Sequence, residues 1–273
     1  SRQYYFQFFA ELYKNYNLVP ETRAGAGLVL NPYYQATKRK PPPERRFEIS
    51  APKQSSSPLA RPVFSMSTPS EYGPTAAQMR ALTSLYAKID SGNVPGAGIN
   101  GEITVGSMVK MFRAIFDRCG VDPSSDWSFF DLGHGRGKVN FVAAMFGATW
   151  STGIEVSRQR YWLSMVALQR ALDPQIWSAL GLDTKDGKTG GKIMFLHADA
   201  MSRQIKHFDN LDIVFTFNFG MPGVVMDKIF STVARSRGTV VLICNSKPAV
   251  VNEYFDAEDL APVIPVSMHG SSE

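Results

Sequence analysis

The sequence predicts an α/β domain: a Rossmann-like, mostly parallel sheet with helices on both faces, preceded by a mainly helical and loop N-terminal region. Two observations carry this. From about residue 103, short apolar strands alternate with amphipathic helices, as in a parallel sheet covered on both sides. One strand also runs straight into glycines at alternate positions, Gly133, Gly135 and Gly137, within FFDLGHGRGK (129–138). Sheets of this kind bind ligands at such strand-to-helix turns, at the carboxyl ends of their strands. A chain of 273 residues, 44% hydrophobic and 19% charged, is long and apolar enough for one substantial core with appended elements.

Taken in order, residues 1–30 place Tyr5, Phe8, Phe9 and Leu12 at a spacing compatible with a helix packed by one face. Residues 31–75 hold nine of the 17 prolines, so regular structure is not expected there. Met79, Leu82, Leu85 and Ile89 recur at helical spacing over 75–90, and SGNVPGAGINGE breaks that pattern. These segments form an N-terminal region, 1–98, and the rest, 99–273, a ligand-binding domain. Within it, 105–120 is an amphipathic helix closed by Gly120, 127–133 a strand, 138–147 a helix and 151–156 a strand. A helix over 157–172 opens at the N-cap Ser157. Strands follow over 192–199 and 211–219, then a helix over 223–238 and an apolar strand over 238–246. The two prolines of APVIPVSM (261–268) confine a last strand to an edge.

The glycine spacing is GxGxG, whereas a dinucleotide fingerprint requires GxGxxG, with Lys138 here at the third glycine's place. Asp131, just before the glycines, would carry negative charge towards a pyrophosphate. It suits a ligand bearing positive charge, such as the amino-acid part and sulfonium of S-adenosylmethionine. Glu155 ends the next strand, where a carboxylate can take both ribose hydroxyls, and Asp199 ends the third, where one can accept from an adenine amino group. Taken singly these acids are ordinary surface or capping residues. Their order on three successive strand ends makes one cofactor site. His134 and His197 read as structural, since the chemistry has no evident need of a base.

With INGEIT (99–104), GIEV (153–156), HADA (197–200), FTFNFGMP (215–222) and NSKP (245–248), the chain resembles the disruptor-of-telomeric-silencing family over about residues 99–268. These are class I S-adenosylmethionine-dependent methyltransferases that lack a SET domain and modify a lysine in the nucleosomal core of histone H3. The resemblance implies that Gly101, Glu102 and Thr104 fold over the methionine end of S-adenosylmethionine. It places Asp131, Gly133, Gly135 and Lys138 at its amino-acid part, Glu155 at the ribose, and Asp199 with Ala200 at the adenine. Asn218 and Phe219, with Phe217 beside them, match the strand end that lines the target-lysine channel. Phe215, on the same strand, reads as core packing.

Charge gives this a further use. Residues 1–100 hold twelve Lys/Arg against six Asp/Glu, and the remainder 17 against 18, so the excess of the +5 total lies in the first third. It is densest at KRKPPPERR, where Lys38, Arg39, Lys40, Arg45 and Arg46 suit docking on the nucleosome, though a solvated loop or a nuclear-import signal reads the same residues. A nuclear enzyme follows. The amino terminus lacks the order of a secretory signal, no apolar run approaches the ~20 residues that cross a bilayer, and no motif points to a metal. Cys119 and Cys244 read as buried thiols in a reducing compartment. The alternatives are a methyltransferase acting on RNA or another protein, and a catalytically silent nucleosome-binding module.

Overall fold

A computed structural model describes residues 72–90, 102–119, 121–183, 192–201, 208–209, 211–218, 221–236, 241–246, 248–255 and 268–269. The expectations for 1–30, for the proline-rich 31–71 and for most of 261–268 lie outside these residues.

Helix α1 (Ala76–Tyr86) starts at a capping box, in which Thr75 accepts from Gln78 N and the Gln78 side chain accepts from Thr75 N. It buries Leu82, Leu85 and Tyr86. A two-residue strand β1 (Glu102–Ile103) leads into α2 (Val105–Arg118), whose N-cap is Thr104. Next come β2 (Ser128–Leu132), α3 (Lys138–Met145), β3 (Trp150–Glu155) and α4 (Arg158–Ala171), the last capped by Ser157 as the sequence predicts. A short helix α5 (Pro174–Ala179), which periodicity did not suggest, starts where Asp173 accepts from two main-chain N–H groups and Pro174 takes the first turn. Strands β4 (Lys192–His197) and β5 (Ile213–Thr216), helix α6 (Gly223–Ala234), strand β6 (Val241–Cys244), helix α7 (Pro248–Val251) and strand β7 (Met268–His269) complete the described elements.

The main sheet has the order β4-β3-β2-β5-β6, and every pairing in it is parallel. The chain builds outward from β2 to β3 and β4, then returns to lay β5 on the other side of β2. The switch point of this doubly wound sheet therefore lies between β2 and β5, where such folds bind ligands. Met268–His269, at the end of the last predicted strand, pairs antiparallel with β1 in a separate two-stranded ribbon.

Alternation along the strands divides the core into two layers. Phe129, Phe195, Ile213 and Phe215 face α1, α2 and α3, while Phe130, Leu132, Ile154, Leu196 and Val214 face α6. Phe112, fully buried, touches the rings of Phe116, Trp127, Phe129 and Phe146 at centroid distances of 5.2–6.3 Å. Truncating such a residue to alanine costs about 3–5 kcal/mol. Helix α1 belongs to the same layer, and Arg170 of α4 donates to the Lys88 carbonyl just beyond it. Cys119 and Cys244 are free thiols, each half-buried.

Candidate active site

The glycine loop leaves β2 with Gly133, Gly135 and Gly137 all at positive φ, 88°, 56° and 79°, a region that only glycine adopts readily. At 137 space forbids a side chain as well, since a Cβ would lie 2.2 Å from the Phe195 ring, while one at 133 would lie 2.8 Å from the movable tip of Met221, Cε. Met221 follows β5, so the loops of β2 and β5 meet across the switch point. The loop is tied to β3: Gly133 N and His134 N donate to the Ile154 carbonyl, and Gly135 N donates to Glu155 Oε2 at 3.0 Å. Gly137 then starts α3 with no side-chain cap, leaving first-turn N–H groups available to an anion.

The three predicted acids lie in or just beyond adjacent strands, at their carboxyl ends. Asp131, in β2, is 1% exposed and its Oδ1 has no hydrogen-bond partner. Burial, and then the charge of Glu155, push its carboxyl well above the usual range. Glu155 is buried at the end of β3, accepting from Gly135 N through Oε2 and from Ser157 N through Oε1 at 2.8 Å. About two of its roughly four acceptor positions remain for ribose hydroxyls. Asp199, exposed, lies two residues beyond β4 and turns the chain by accepting from Met201 N, with half-buried Ala200 beside it. Exposed Val156 follows Glu155 and is an apolar surface at the same edge that motif reading passed over.

A second group gathers on the helical side of the loop. Glu102 holds Arg136 through two hydrogen bonds and Lys138 through a third. Burial alone would raise the Glu102 pKa, but the hydrogen bonds and charges of Arg136 and Lys138 outweigh it and hold the carboxyl below its usual range. Lys138, predicted to face the cofactor, thus has its ammonium on Glu102, and Thr104 accepts from Ser107 N as the cap of α2. Gly101 lies outside the described residues. Arg136 had no role from the sequence; its only signal was a charge placed between two glycines.

At the end of β5, Asn218 forms a reciprocal pair with Asn245 beyond β6. Asn218 N donates to Asn245 Oδ1 at 2.7 Å, and Asn245 N donates to Asn218 Oδ1 at 2.9 Å. Asn218 Nδ2 donates to Ser246 Oγ at 2.7 Å. Asn245 and Ser246 belong to the quoted NSKP motif, but pairing across two strand ends cannot be read from spacing. Phe217 is half-buried against the α2 layer, and Phe215 is core, as expected, its ring tilted against that of Phe129 at 6.0 Å. Phe219 and the basic cluster Lys38, Arg39, Lys40, Arg45 and Arg46 lie outside the described residues.

Both histidines are packed into structure. His197 Nε2 lies 3.0 Å from the Val156 carbonyl, with its ring on Tyr161. His134 is buried over Gly153 with its ring 4.7 Å from that of Phe195, and neither nitrogen has a well-formed hydrogen bond. Burial lowers its pKa from 6.5 to about 3, so it is neutral at physiological pH.

These residues fit S-adenosylmethionine. A buried carboxyl group with an unpartnered oxygen, glycines at positive φ that bare the main chain, an uncapped helix start and two further acids at neighbouring strand ends match its cationic, anionic and hydroxyl groups.

No family model and no curated protein matches the sequence. Solved structures do resemble the fold. A proposed RNA methyltransferase of Pyrococcus horikoshii is 15% identical, with a TM-score of 0.40, over 65% of this chain and 76% of its own. A Thermoplasma acidophilum protein is 16% identical, with a TM-score of 0.39, over 67% and 81%. A methyltransferase of Thiobacillus denitrificans, solved with S-adenosylhomocysteine, is 16% identical, with a TM-score of 0.34, over 56% and 52%. Similarity at this level decides neither family nor substrate.

Proposed function

We propose that this chain is an S-adenosylmethionine-dependent methyltransferase acting on a lysine amine, and that its target is a lysine in the nucleosomal core of histone H3, in the nucleus. The observation that carries the cofactor reading is the set of carboxylates Asp131, Glu155 and Asp199 at the carboxyl ends of three adjacent parallel strands, around the glycine loop. A binding module with no cofactor has no use for a buried Asp131 whose Oδ1 lacks a partner, because such a group costs about 1–3 kcal/mol. The histone reading is supported by the order of motifs from INGEIT to NSKP and by the basic stretch from Lys38 to Arg46.

Bound S-adenosylmethionine supplies an electrophilic methyl group, and transfer to an amine is an in-line displacement that depends chiefly on placing the reactants. Asp131, Glu155 and Asp199 hold and orient the cofactor. The substrate amine must be neutral, and deprotonating a free lysine at pH 7 costs about 4–5 kcal/mol given its pKa of ~10.4. Desolvation beside the apolar side chains at the end of β5, Phe217 and Met221 among them, favours the neutral form. Asn218 can orient that amine. The Asn245 N–H fixes its Oδ1, whose second lone pair can accept an amine N–H and leave the nitrogen lone pair for the methyl group.

The test is incubation with radiolabelled S-adenosylmethionine and intact nucleosomes, free histones or RNA, with mass spectrometry to locate the mark. Label on H3 in nucleosomes is expected. Label on RNA alone overturns the histone target, and failure to bind the cofactor overturns the whole reading. Substituting Lys38, Arg39, Lys40, Arg45 and Arg46 by glutamine should weaken nucleosome methylation and flatten its salt dependence while sparing cofactor binding.

A further inference from the structure

Arg136, the residue between the second and third glycines, is 8% exposed, and its guanidinium reaches three parts of the chain. Nε and Nη2 donate to the two carboxylate oxygens of Glu102 at the start of β1. Nη1 donates to the carbonyls of Ile89, at 3.0 Å, and Asp90, at 2.7 Å, just past α1. The Arg136 carbonyl in turn accepts from the Tyr86 hydroxyl at 2.9 Å. The Tyr86 ring completes the contact: the guanidinium lies 5.4 Å from its centroid, and the ammonium of Lys138 lies 5.2 Å away. One loop residue therefore fastens α1 and β1 to the glycine loop.

The loop needs such fastening. Three glycines at positive φ carry no side chains to fix their conformation, and glycine is the residue that gains most freedom when released. Glu155 holds the loop from β3 through Gly135 N, and Arg136 holds it from the side of α1. A ligand that requires this loop conformation must then favour docked α1, and docked α1 must favour the ligand by the same factor. The charges agree with that direction. Arg136, Lys138 and Glu102 together carry one more positive than negative charge, which suits a ligand with a carboxylate.

We propose that Arg136 is a positioning residue that makes docking of α1 and binding of ligand at the glycine loop a single event. This rests on S-adenosylmethionine, or its product S-adenosylhomocysteine, being the ligand of the loop. A guanidinium that only glued α1 in place would leave ligand affinity untouched.

The experiment uses the full chain. Amide hydrogen exchange is followed by mass spectrometry with and without S-adenosylhomocysteine, and affinity is measured by calorimetry, for the wild type, Arg136→Gln and Tyr86→Phe. In the wild type, ligand is expected to slow exchange across 76–90 at least five-fold. In Arg136→Gln, exchange there should be faster without ligand and affinity should fall roughly 10- to 100-fold. Bound ligand should then no longer protect 76–90, while still protecting peptides that contain Glu155. Tyr86→Phe, which keeps the ring and loses one hydrogen bond, should show the same pattern at about three- to ten-fold, and it serves if Arg136→Gln fails to fold. Affinity in either folded variant within two-fold of wild type, or 76–90 indifferent to bound ligand in the wild type, overturns the coupling alone. A wild type that binds no S-adenosylhomocysteine overturns the proposed function and the coupling together.

Discussion

Replacing His134 by leucine should make the protein more resistant to mild acid. The imidazole is buried among Gly153 and Phe195 with no well-formed hydrogen bond, and its pKa falls from 6.5 in the unfolded chain to about 3 in the fold. Between those values the unfolded chain binds the extra proton. Stability is therefore complete above 6.5 and is lost as the pH falls towards 3. At pH 5, about 1.5 pH units below the unfolded value, the loss is about 2 kcal/mol at ~1.4 kcal/mol per unit. That corresponds to roughly 4–8 °C of melting temperature in a domain of about 150–250 residues. Leucine has nearly the volume of the ring and no proton to gain. Urea unfolding at pH 7.5 and pH 5 measures the effect as a difference of differences, since the other titrating groups are common to both proteins. Equal acid losses in the wild type and His134→Leu would show that the imidazole does not stay neutral in the fold.

Asp131→Asn should have the opposite balance. The Asp131 pKa is raised in the fold, so its contribution is complete below the ordinary carboxyl value near 3.8 and is lost as pH rises. The variant should melt higher at pH 7 by an amount equivalent to about 1 kcal/mol or more, and the melting shift produced by S-adenosylhomocysteine should disappear. Glu155→Arg should abolish that shift outright, because it removes the proposed ribose acceptor and the anchor of Gly135 N; differential scanning fluorimetry reads both variants. Gly137→Ala should destabilise by several kcal/mol, since it adds a Cβ 2.2 Å from Phe195 at a φ of 79°. Gly106→Ala, with nothing within 4 Å of its new atom in α2, should gain up to about 1 kcal/mol by urea melts. Asn218→Ala should leave S-adenosylhomocysteine affinity within about two-fold while lowering kcat on the proposed nucleosome substrate, and should lose about 1–3 kcal/mol of stability with the Asn245 and Ser246 bonds.

What the sequence made legible was whatever a local pattern determines. Ser157 announces a helix start, GxGxG a strand-to-helix turn, and short apolar runs ending in an acid the strands β2 and β3; each depends on residues a few positions apart. Arg136 and Glu102 are 34 positions apart, Arg136 and Asp90 46, and Asn218 and Asn245 27. No periodicity connects such pairs, and only the packing of α1 and the parallel register of β5 with β6 brings them together. The ribbon of β1 and β7 escaped for the same reason: two short strands at opposite ends of the domain give no pattern that reports their pairing. Lys138 shows the same limit of local pattern: its place in the glycine motif gives no sign that its flexible stem carries the ammonium to Glu102, 36 positions away.

Among the described residues, several buried polar and ionisable groups lie together on the glycine loop. Asp131 is buried with an unpartnered oxygen just before it, His134 within it is held neutral, and Arg136 within it and Lys138 at its end carry buried charge. The two apolar layers beneath are closed by fully buried Phe112, Phe141 and Phe230, and they supply the stability that such a loop draws on. A loop that is itself unfavourable stays in shape only while its anchors hold, Glu155 on one side and Arg136 on the other. Ligand that satisfies Asp131 removes part of the cost, so binding should tighten the loop and both of its anchors at once. Loss of either anchor should then weaken binding more than the severed hydrogen bonds account for, because the glycines would regain their freedom as a group.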